Sequence, residues 1–196
     1  MKRLLTAVTI AASLMASGAS AFDPEDLQKL MDTGECVACD LSGANLAGID
    51  LTQAHMRFAN LTNANLEGAN LFLADMDDAN LEAANLKGTN AYRAGLTGAN
   101  LAFANLEGAN LSEARLWEAD LEDANLSEAI LRWSWMNNTN LSNVNLSNAD
   151  LREANLEGAN LEGANFTSAN LDKAQMKGAI LCNTTMPDST VIYSGC

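Results

Sequence analysis

Apolar residues recur at every fifth position from Leu41 to Met186, with no insertion or deletion. These thirty positions, called centres below, hold 23 leucines, five methionines, Phe166 and Ala91. The residue two positions before each centre is alanine in 23 repeats. In the other repeats it is Cys39, Ile49, Thr89, Ser134, Thr139, Val144 or Thr184. The residue between this position and the centre is most often Asn or Asp, so the chain reads as one long array of similar five-residue units.

A period of five excludes the two ordinary amphipathic elements. In an α-helix, residues five apart lie about 140° away from each other around the axis, so the centres would spiral over the whole surface. In a β-strand, successive centres would point to opposite faces, because five is an odd number. Only a solenoid whose backbone turns a corner in every repeat keeps all centres inside. The pattern therefore predicts a solenoid with a core of stacked leucines.

This A(N/D)Lxx array resembles the pentapeptide repeat family over about 150 residues. The resemblance implies an all-β fold, the right-handed quadrilateral parallel β-helix, in which four pentapeptides form one square coil. It also implies that the centre and the small residue point inward while the other three residues point outward. Thirty centres then make about seven coils. We expect the solenoid to span residues 39–186.

The N-terminal segment, residues 1–21, is predicted to be a signal peptide. Lys2 and Arg3 precede an apolar stretch, and Ala19 and Ala21 form the small-x-small pattern that signal peptidase cleaves. The stretch is too short for a membrane span, which needs about 20 apolar residues. We therefore expect an exported protein, periplasmic or extracellular, that begins at Phe22 and has no membrane association after cleavage.

Both ends of the array are predicted to carry caps, because an open solenoid end invites end-to-end association. Residues 22–38 form the N-terminal cap, with a short helix that starts after Asp23 and stops at Gly34. The apolar side chains of that helix would cover the first coil. Residues 187–196, which leave the period of five, form the C-terminal cap.

Four cysteines lie at the two ends of the array, and we expect them to form two disulfides. Cys36 and Cys39 precede the first coil, and Cys182 and Cys196 flank the last. The two pairs lie about a rod length apart, so a single four-cysteine zinc site is excluded if the fold is right. Disulfides suit an exported chain. An alternative stays open for the first pair, whose C-x-x-C spacing also occurs in redox motifs and in half-sites for metals.

The outward positions predict one uniform face and one irregular corner, with faces numbered one to four from Leu41. On face two, the residue before the centre is always asparagine through seven successive coils, which predicts a ladder of stacked amides: Asn45, Asn65, Asn85, Asn105, Asn125, Asn145 and Asn165.

Faces three and four hold every arginine after the signal peptide and six of the seven outward aromatic residues. Arginine and aromatic residues are enriched in interface hot spots. We expect a partner-binding surface where these faces meet, formed by Phe72, Tyr92, Arg93, Arg115, Trp117, Arg132, Trp133 and Trp135. The alternative is that these residues only decorate a structural rod.

Composition excludes most reaction classes. The 196 residues include 25 acidic and 11 basic side chains and one histidine, with a net charge of −14. One imidazole leaves little for general acid-base chemistry or for a histidine-rich metal site. We therefore expect no enzymatic activity, no cofactor and no bound metal. The acidity also argues against nucleic acid and anionic membranes as partners, since both would be repelled.

These observations predict a non-enzymatic exported scaffold or protein-binding module with an unknown protein partner. A homodimer is also possible, through an end or a face. The resemblance supplies a first alternative, because some family members are acidic rods that occupy the DNA site of type II topoisomerases. The net charge fits that role, but the export signal does not. A second alternative is a thiol-linked role of Cys36 and Cys39.

Overall fold

The computed structural model describes residues 22–196; the predicted signal peptide lies outside the described residues. Helix α1 spans Pro24–Thr33, and two short strands, β1 at Leu181–Thr185 and β2 at Val191–Ser194, pair as an antiparallel hairpin. Between α1 and β1 the repeated pattern of turns and bridges runs from Glu35 to Ile180. No helix in the described part of the chain is long and apolar enough to cross a membrane.

The repeats stack as a parallel solenoid with twenty residues in each coil. Isolated parallel bridges join residues twenty apart, from the pair Glu35 and His55 to the pair Asn165 and Thr185. Each bridge is held by the backbone: the Leu41 N–H donates to the Asn60 carbonyl over 2.8 Å, and the Asn60 N–H donates to the Cys39 carbonyl over 2.8 Å. Four pentapeptides therefore form one coil, and the predicted repeat solenoid is confirmed.

Each corner of a coil is a tight turn that starts at a centre. The Ala44 N–H donates to the Leu41 carbonyl over 3.0 Å, and Gly43 inside this turn has a φ of 67°. A positive φ at the third residue of a turn is the mark of type II. From Gly43 to Asn183 every residue two positions after a centre has a positive φ, glycine or not, and at Trp133 φ is 55°. The turn repeats regularly because the stacked coils impose it on residues that would not choose it alone.

The core is a continuous column of centres and small residues. Nearly all centres from Leu41 to Phe166 are inaccessible to solvent, as are the alanines two positions before them. Four of the small positions carry hydroxyl groups, at Thr89, Ser134, Thr139 and Thr184, and each hydroxyl donates to a backbone carbonyl. These substitutions are tolerated because no hydroxyl is left unpaired inside the core.

The two ends of the rod differ in how well they are covered. At the N-terminal end the Asp23 side chain accepts the Glu25 N–H, and the Gly34 N–H closes helix α1 on the Leu30 carbonyl. Leu27 and Leu30 of this helix are buried in the core cluster. At the other end, several inward side chains of the last coil are only half-buried against the core: Leu171, Met176, Ala179 and Leu181.

Each end contains one disulfide, in the pairing expected from the sequence. Cys36 and Cys39 are bonded with Cα atoms 5.2 Å apart, and Cys182 and Cys196 with Cα atoms 4.9 Å apart. The first pair is buried, with 0% and 2% of its surface exposed, whereas Cys196 is exposed. The burial of Cys36 and Cys39 denies a reductase access to their sulfur atoms.

Candidate partner-binding site

Side-chain amide ladders cover the ordinary outer surface of the rod. On face two, the Asn65 Nδ2 donates to the Asn45 Oδ1 over 3.1 Å, and the same bond recurs in each following coil up to Asn165. The acceptor oxygen also takes the backbone N–H two residues on, as Asn65 takes that of Glu67 at 3.2 Å. The predicted ladder is therefore present, and it ties up both ends of each amide.

Face four has no such ladder among the described residues. The residues before its centres are Glu35, His55, Asp75, Gly95, Arg115, Trp135, Asn155 and Gln175. Adjacent members of this column differ in size, charge and hydrogen-bonding capacity, so they do not bond to one another as asparagines do. The loss of the ladder opens the surface at the corner with face three.

A groove of about 480 Å³, called the corner groove, lies along this corner. Its walls are formed by Leu73, Asp75, Arg93, Gly95, Glu113, Arg115, Trp133 and Trp135. Gly95 creates the space, because a Cβ there would lie 2.6 Å from the Arg115 Nη2 and 2.8 Å from the Asp77 Oδ1. The Arg115 side chain passes over Gly95 and places its Nη2 3.5 Å from the Asp77 Oδ2 in the coil beyond.

The corner is not a positively charged patch, although it holds the arginines. Within the described residues every arginine lies within ion-pair distance of a carboxylate. Arg93 bonds to Glu113 over 2.6 Å, and Arg132 and Arg152 share Asp150 at 2.6 and 2.9 Å. Each guanidinium is thus held in place and largely neutralised, so a strongly acidic partner gains little from this surface.

Aromatic stacking and hydrogen bonds hold Arg93 and Glu113 together. The Phe72 and Tyr92 rings stack with centroids 5.8 Å apart, and the Arg93 guanidinium lies 5.1 Å from the centre of the Tyr92 ring. The Tyr92 hydroxyl donates to the Glu113 Oε1 over 2.6 Å. This bond, followed by the bond from Arg93, lowers the pKa of the Glu113 carboxyl below its usual value. Glu113 is therefore ionised and fixed at neutral pH.

A second groove of about 540 Å³, called the tryptophan groove, begins on the other side of the tryptophans. It is lined by Trp117, Trp133, Trp135, Asn137, Glu153, Asn155 and Gln175. The rings of Trp117 and Trp135 lie 5.2 Å apart between centroids. All three tryptophans are between 40% and 49% exposed, so nearly half of the surface of each is available to a partner.

The structure brings together most of the residues predicted for the site. Arg93, Arg115, Trp133 and Trp135 line the corner groove, and Trp117 joins the last two in the tryptophan groove. Tyr92 and Phe72 lie behind Arg93 as a stacked pair. Arg132 lines neither groove, because Asp150 holds it along face three.

Sequence reasoning missed five contributors to the grooves. They are Asp77, which pairs with Arg115, and four residues of the tryptophan groove, namely Asn137, Glu153, Asn155 and Gln175. The signal for the amides was available, because Asn137 and Asn155 follow Trp117 and Trp135 by one coil of twenty residues. The contact of Asp77 with Arg115 could not be predicted from the sequence, because it spans two coils and joins different columns of the rod.

Comparisons with solved structures find other proteins built from the same repeats. The chain is 32% identical to HetL of the cyanobacterium Nostoc sp. strain PCC 7120, a pentapeptide repeat protein involved in heterocyst differentiation regulation, over 81% of this chain and 87% of HetL, with a TM-score of 0.29. It is 20% identical to QnrB1, a plasmid-mediated fluoroquinolone resistance protein, over 81% of this chain and 76% of that one, with a TM-score of 0.37. A thylakoid lumen protein of Arabidopsis thaliana is 22% identical over 85% of this chain and 72% of its own, with a TM-score of 0.25.

A comparison with curated proteins gave no match. The family model for pentapeptide repeats matches in 8 copies, at residues 35–72, 74–112, 104–143 and 145–182. These matches cover nearly the whole solenoid, and they agree with the twenty-residue coils and with the buried centres of the structure. The chain belongs to the pentapeptide repeat family.

Proposed function

We propose that this protein is a non-enzymatic, exported binding module that engages a protein partner through the corner groove. The observation that carries the proposal is the loss of the amide column at Gly95, Arg115 and Trp135, which leaves Trp135 beside the exposed Leu73 and Trp133 and two ion pairs at one corner. Large exposed aromatic groups next to oriented arginines are the composition of an interface hot spot.

Binding at such a site would depend more on the burial of apolar surface than on attraction between charges. Both arginines of the corner groove are already paired, so a partner would bind mainly by covering Leu73 and the two tryptophans. The ion pairs would supply fixed donors and acceptors at the rim. Because the side chains sit on a rigid stack of coils, little conformational entropy is lost on binding.

The rest of the molecule fits the role of a scaffold. We propose a right-handed quadrilateral rod of about seven coils, with residues 22–38 as one cap and residues 187–196 as the other. The burial of Leu27 and Leu30 supports the first cap. The half-buried Leu171 and Met176 leave the opposite end less covered, and a second copy of the chain is the partner that this end would accept.

Export is part of the proposal. Residues 1–21 have the features of a cleaved signal peptide, and two disulfides suit an oxidising compartment, periplasmic or extracellular. The burial of Cys36 and Cys39 supports a structural role for that pair over a redox role, because thiol exchange needs an accessible sulfur.

The acidity of face one is the feature that favours the alternative function, a DNA mimic. Face one carries six carboxylates and no basic side chain, namely Asp40, Glu82, Asp120, Glu122, Asp123 and Glu162. A topoisomerase inhibitor must act where the chromosome is, so the predicted signal peptide argues against it. We therefore favour binding at the corner groove.

Cross-linking capture from the cell envelope tests the proposal. The bait is the tagged protein beside the Arg93→Ala/Arg115→Ala/Trp133→Ala variant and a matched control, Lys87→Ala/Phe103→Ala, on faces one and two. We expect a partner that the wild type and the control capture and the corner variant loses, with circular dichroism unchanged and Phe22 as the first residue of the bait. A partner retained by the corner variant, or a bait that keeps residues 1–21, would contradict the proposal.

A further inference from the structure

The tryptophan groove differs from the corner groove in the chemistry of its floor. Its aromatic wall is formed by Trp117, Trp133 and Trp135, while the floor carries three carboxamides and the Glu153 carboxylate. No arginine lines it. The groove is thus apolar on one side and rich in neutral hydrogen-bonding groups on the other.

Trp135 creates this floor by interrupting the column of face four. On face two each asparagine from Asn65 to Asn165 donates its Nδ2 to the asparagine one coil earlier, but the indole of Trp135 offers no acceptor oxygen to Asn155. The Asn155 Oδ1 accepts the Glu157 N–H over 3.0 Å, while its Nδ2 has no hydrogen-bond partner within residues 22–196. The side-chain amides of Asn137 and Gln175 likewise have no partner in that part of the chain. Three carboxamides therefore lie beside the three indoles: those of Asn155 and Gln175 at the position before a centre, and that of Asn137 directly after the centre Met136.

From this arrangement we propose that the tryptophan groove binds a neutral glycan chain of β-linked pyranose units. A pyranose with equatorial hydroxyls has an apolar face of axial C–H groups, which packs flat against an indole, and a rim of hydroxyls. Each hydroxyl both donates and accepts, as do the carboxamides of Asn137, Asn155 and Gln175. Such sites combine apolar area with a few placed polar groups.

Charge selects among glycans. The protein has a net charge of −14, and Glu153 lies in the groove with the exposed Lys173 Nζ 4.0 Å away, a pair too weak to offset the acidity of the rod, so polymers of uronic acids would be repelled. A neutral chain escapes that repulsion. Successive coils repeat along the rod at about 4.8 Å, which is close to the length of one pyranose unit, so rungs from Trp117 to Gln175 can contact consecutive sugars.

A proline-rich peptide fits the groove less well. Polyproline segments also dock on aromatic side chains, but prolyl residues have carbonyl acceptors and no N–H donors. The Glu153 carboxylate and the amide oxygens would then face a ligand that cannot donate to them. A sugar satisfies both the donors and the acceptors of the floor.

The proposal goes beyond the protein partner of the corner groove and rests on the proposed export only for where the glycan is met. Its test does not depend on that partner. The protein contains 3 tryptophans, and all of them line this groove, so intrinsic tryptophan fluorescence reports directly on its occupancy. Purified protein is titrated with chitotetraose and with cellotetraose, and in parallel with polygalacturonate and a polyproline peptide.

We expect a saturable change of tryptophan fluorescence with at least one of the two neutral oligosaccharides, and none with polygalacturonate. Calorimetry on Trp117→Ala and Trp135→Asn should show a Kd weakened by about tenfold or more, a loss of roughly 1.4 kcal/mol. Trp135→Asn introduces the residue that the ladder uses, so it should fold as well as the wild type and separates lost binding from lost structure.

Two controls complete the experiment. Phe103 is an exposed aromatic residue on face one, and it occupies the same position in its turn as Trp133 does on face three. Phe103→Ala should therefore bind the oligosaccharide like the wild type. Leu73→Ala/Arg93→Ala/Arg115→Ala changes residues of the corner groove alone, so it should weaken capture of the protein partner and keep the oligosaccharide, which separates the failure of one proposal from the failure of the other. The glycan proposal is overturned if neither oligosaccharide binds, if Trp135→Asn binds as tightly as the wild type, or if only the polyproline peptide binds.

Discussion

At the scale of single residues, the corner is shaped by side chains that break the local rule of the repeat. Trp133 takes a left-handed backbone conformation that bulky residues disfavour. Gly95 and Trp135 stand where the repeat otherwise places Asn or Asp. Gly95 leaves room for Arg115 to reach Asp77, and Trp135 frees the amide of Asn155. Each exception weakens the stack locally and builds one feature of the two grooves.

The Glu113 carboxylate should make stability depend on acid. Its pKa is lowered by the Tyr92 hydroxyl and by Arg93, so its stabilising contribution is full above the unfolded value of about 4.3 and is lost as pH falls through the lower folded value. We expect Glu113→Gln to have a lower Tm than the wild type at neutral pH. This difference in Tm should shrink at pH values below the folded pKa of Glu113. Thermal melts over a pH series measure it.

Tyr92→Phe is the matched control, because it removes the hydroxyl that contributes most to the lowered pKa and keeps the ring. The folded pKa of Glu113 then lies closer to the unfolded value, so the loss of stability in acid should be smaller and complete at a higher pH than in the wild type. A difference between Glu113→Gln and the wild type that stays constant with pH would show that the carboxylate is not fixed as described.

At the scale of elements, the amide ladder is the unit that makes one coil recognise the next. Each ladder amide donates to the coil before it and accepts from the coil after it, while its oxygen also holds the backbone N–H of its own turn. The face-three ladder is interrupted at Ile130, which is 39% exposed and lies between Asn110 and Asp150. A ladder therefore gains or loses stability at single rungs.

Two substitutions should change stability in opposite directions. Asn105→Ala removes its bonds to Asn85 and Asn125 and leaves the Glu107 N–H without its acceptor, at a cost of about 1–3 kcal/mol. Ile130→Asn should instead stabilise by about 0.5–1.5 kcal/mol, because it completes a rung. Chemical denaturation measures both free energies of unfolding.

Asn105→Asp serves as the control for the ladder. It keeps the oxygen that accepts from Asn125 and Glu107 and loses only the donated bond to Asn85, so its cost should fall between those of the wild type and the alanine variant. If Asn105→Asp and Asn105→Ala lower the free energy of unfolding equally, the hydrogen bonds that Asn105 accepts contribute nothing to stability.

At the scale of the whole molecule, acidity is spread unevenly around the rod. Face one has carboxylates and no basic side chain, while faces three and four carry the arginines in ion pairs within a coil or with a coil one or two turns away. The carboxylates of face one recur in every second coil and repel each other, and the net charge of −14 adds a general repulsion. The fold withstands this because its core is continuous from end to end.

Added salt should therefore stabilise the protein. Raising NaCl from about 0.02 M to about 0.3 M shortens the Debye length to below 10 Å and screens the repulsion along face one. Relief of ~1 kcal/mol would raise Tm by about 2–4 °C for a chain of this size. Differential scanning calorimetry at both salt concentrations measures the shift, and a fall in Tm would mean that the ion pairs outweigh the repulsion.

The period of five was enough to predict the solenoid, its buried centres and the face-two ladder, because these depend on residues that repeat at fixed spacing and one stacking register decides them together. The pairing of the cysteines was predicted from their positions at the two ends of the array. The contacts of the corner depend on more than register. Arg115 reaches Asp77 across Gly95 because a long side chain can span an empty rung, and the arginine corner is neutral because each guanidinium finds a carboxylate. The Asn155 amide of the tryptophan groove is likewise free because the Trp135 indole in the neighbouring coil offers no acceptor oxygen, and this becomes visible only when the coils are stacked.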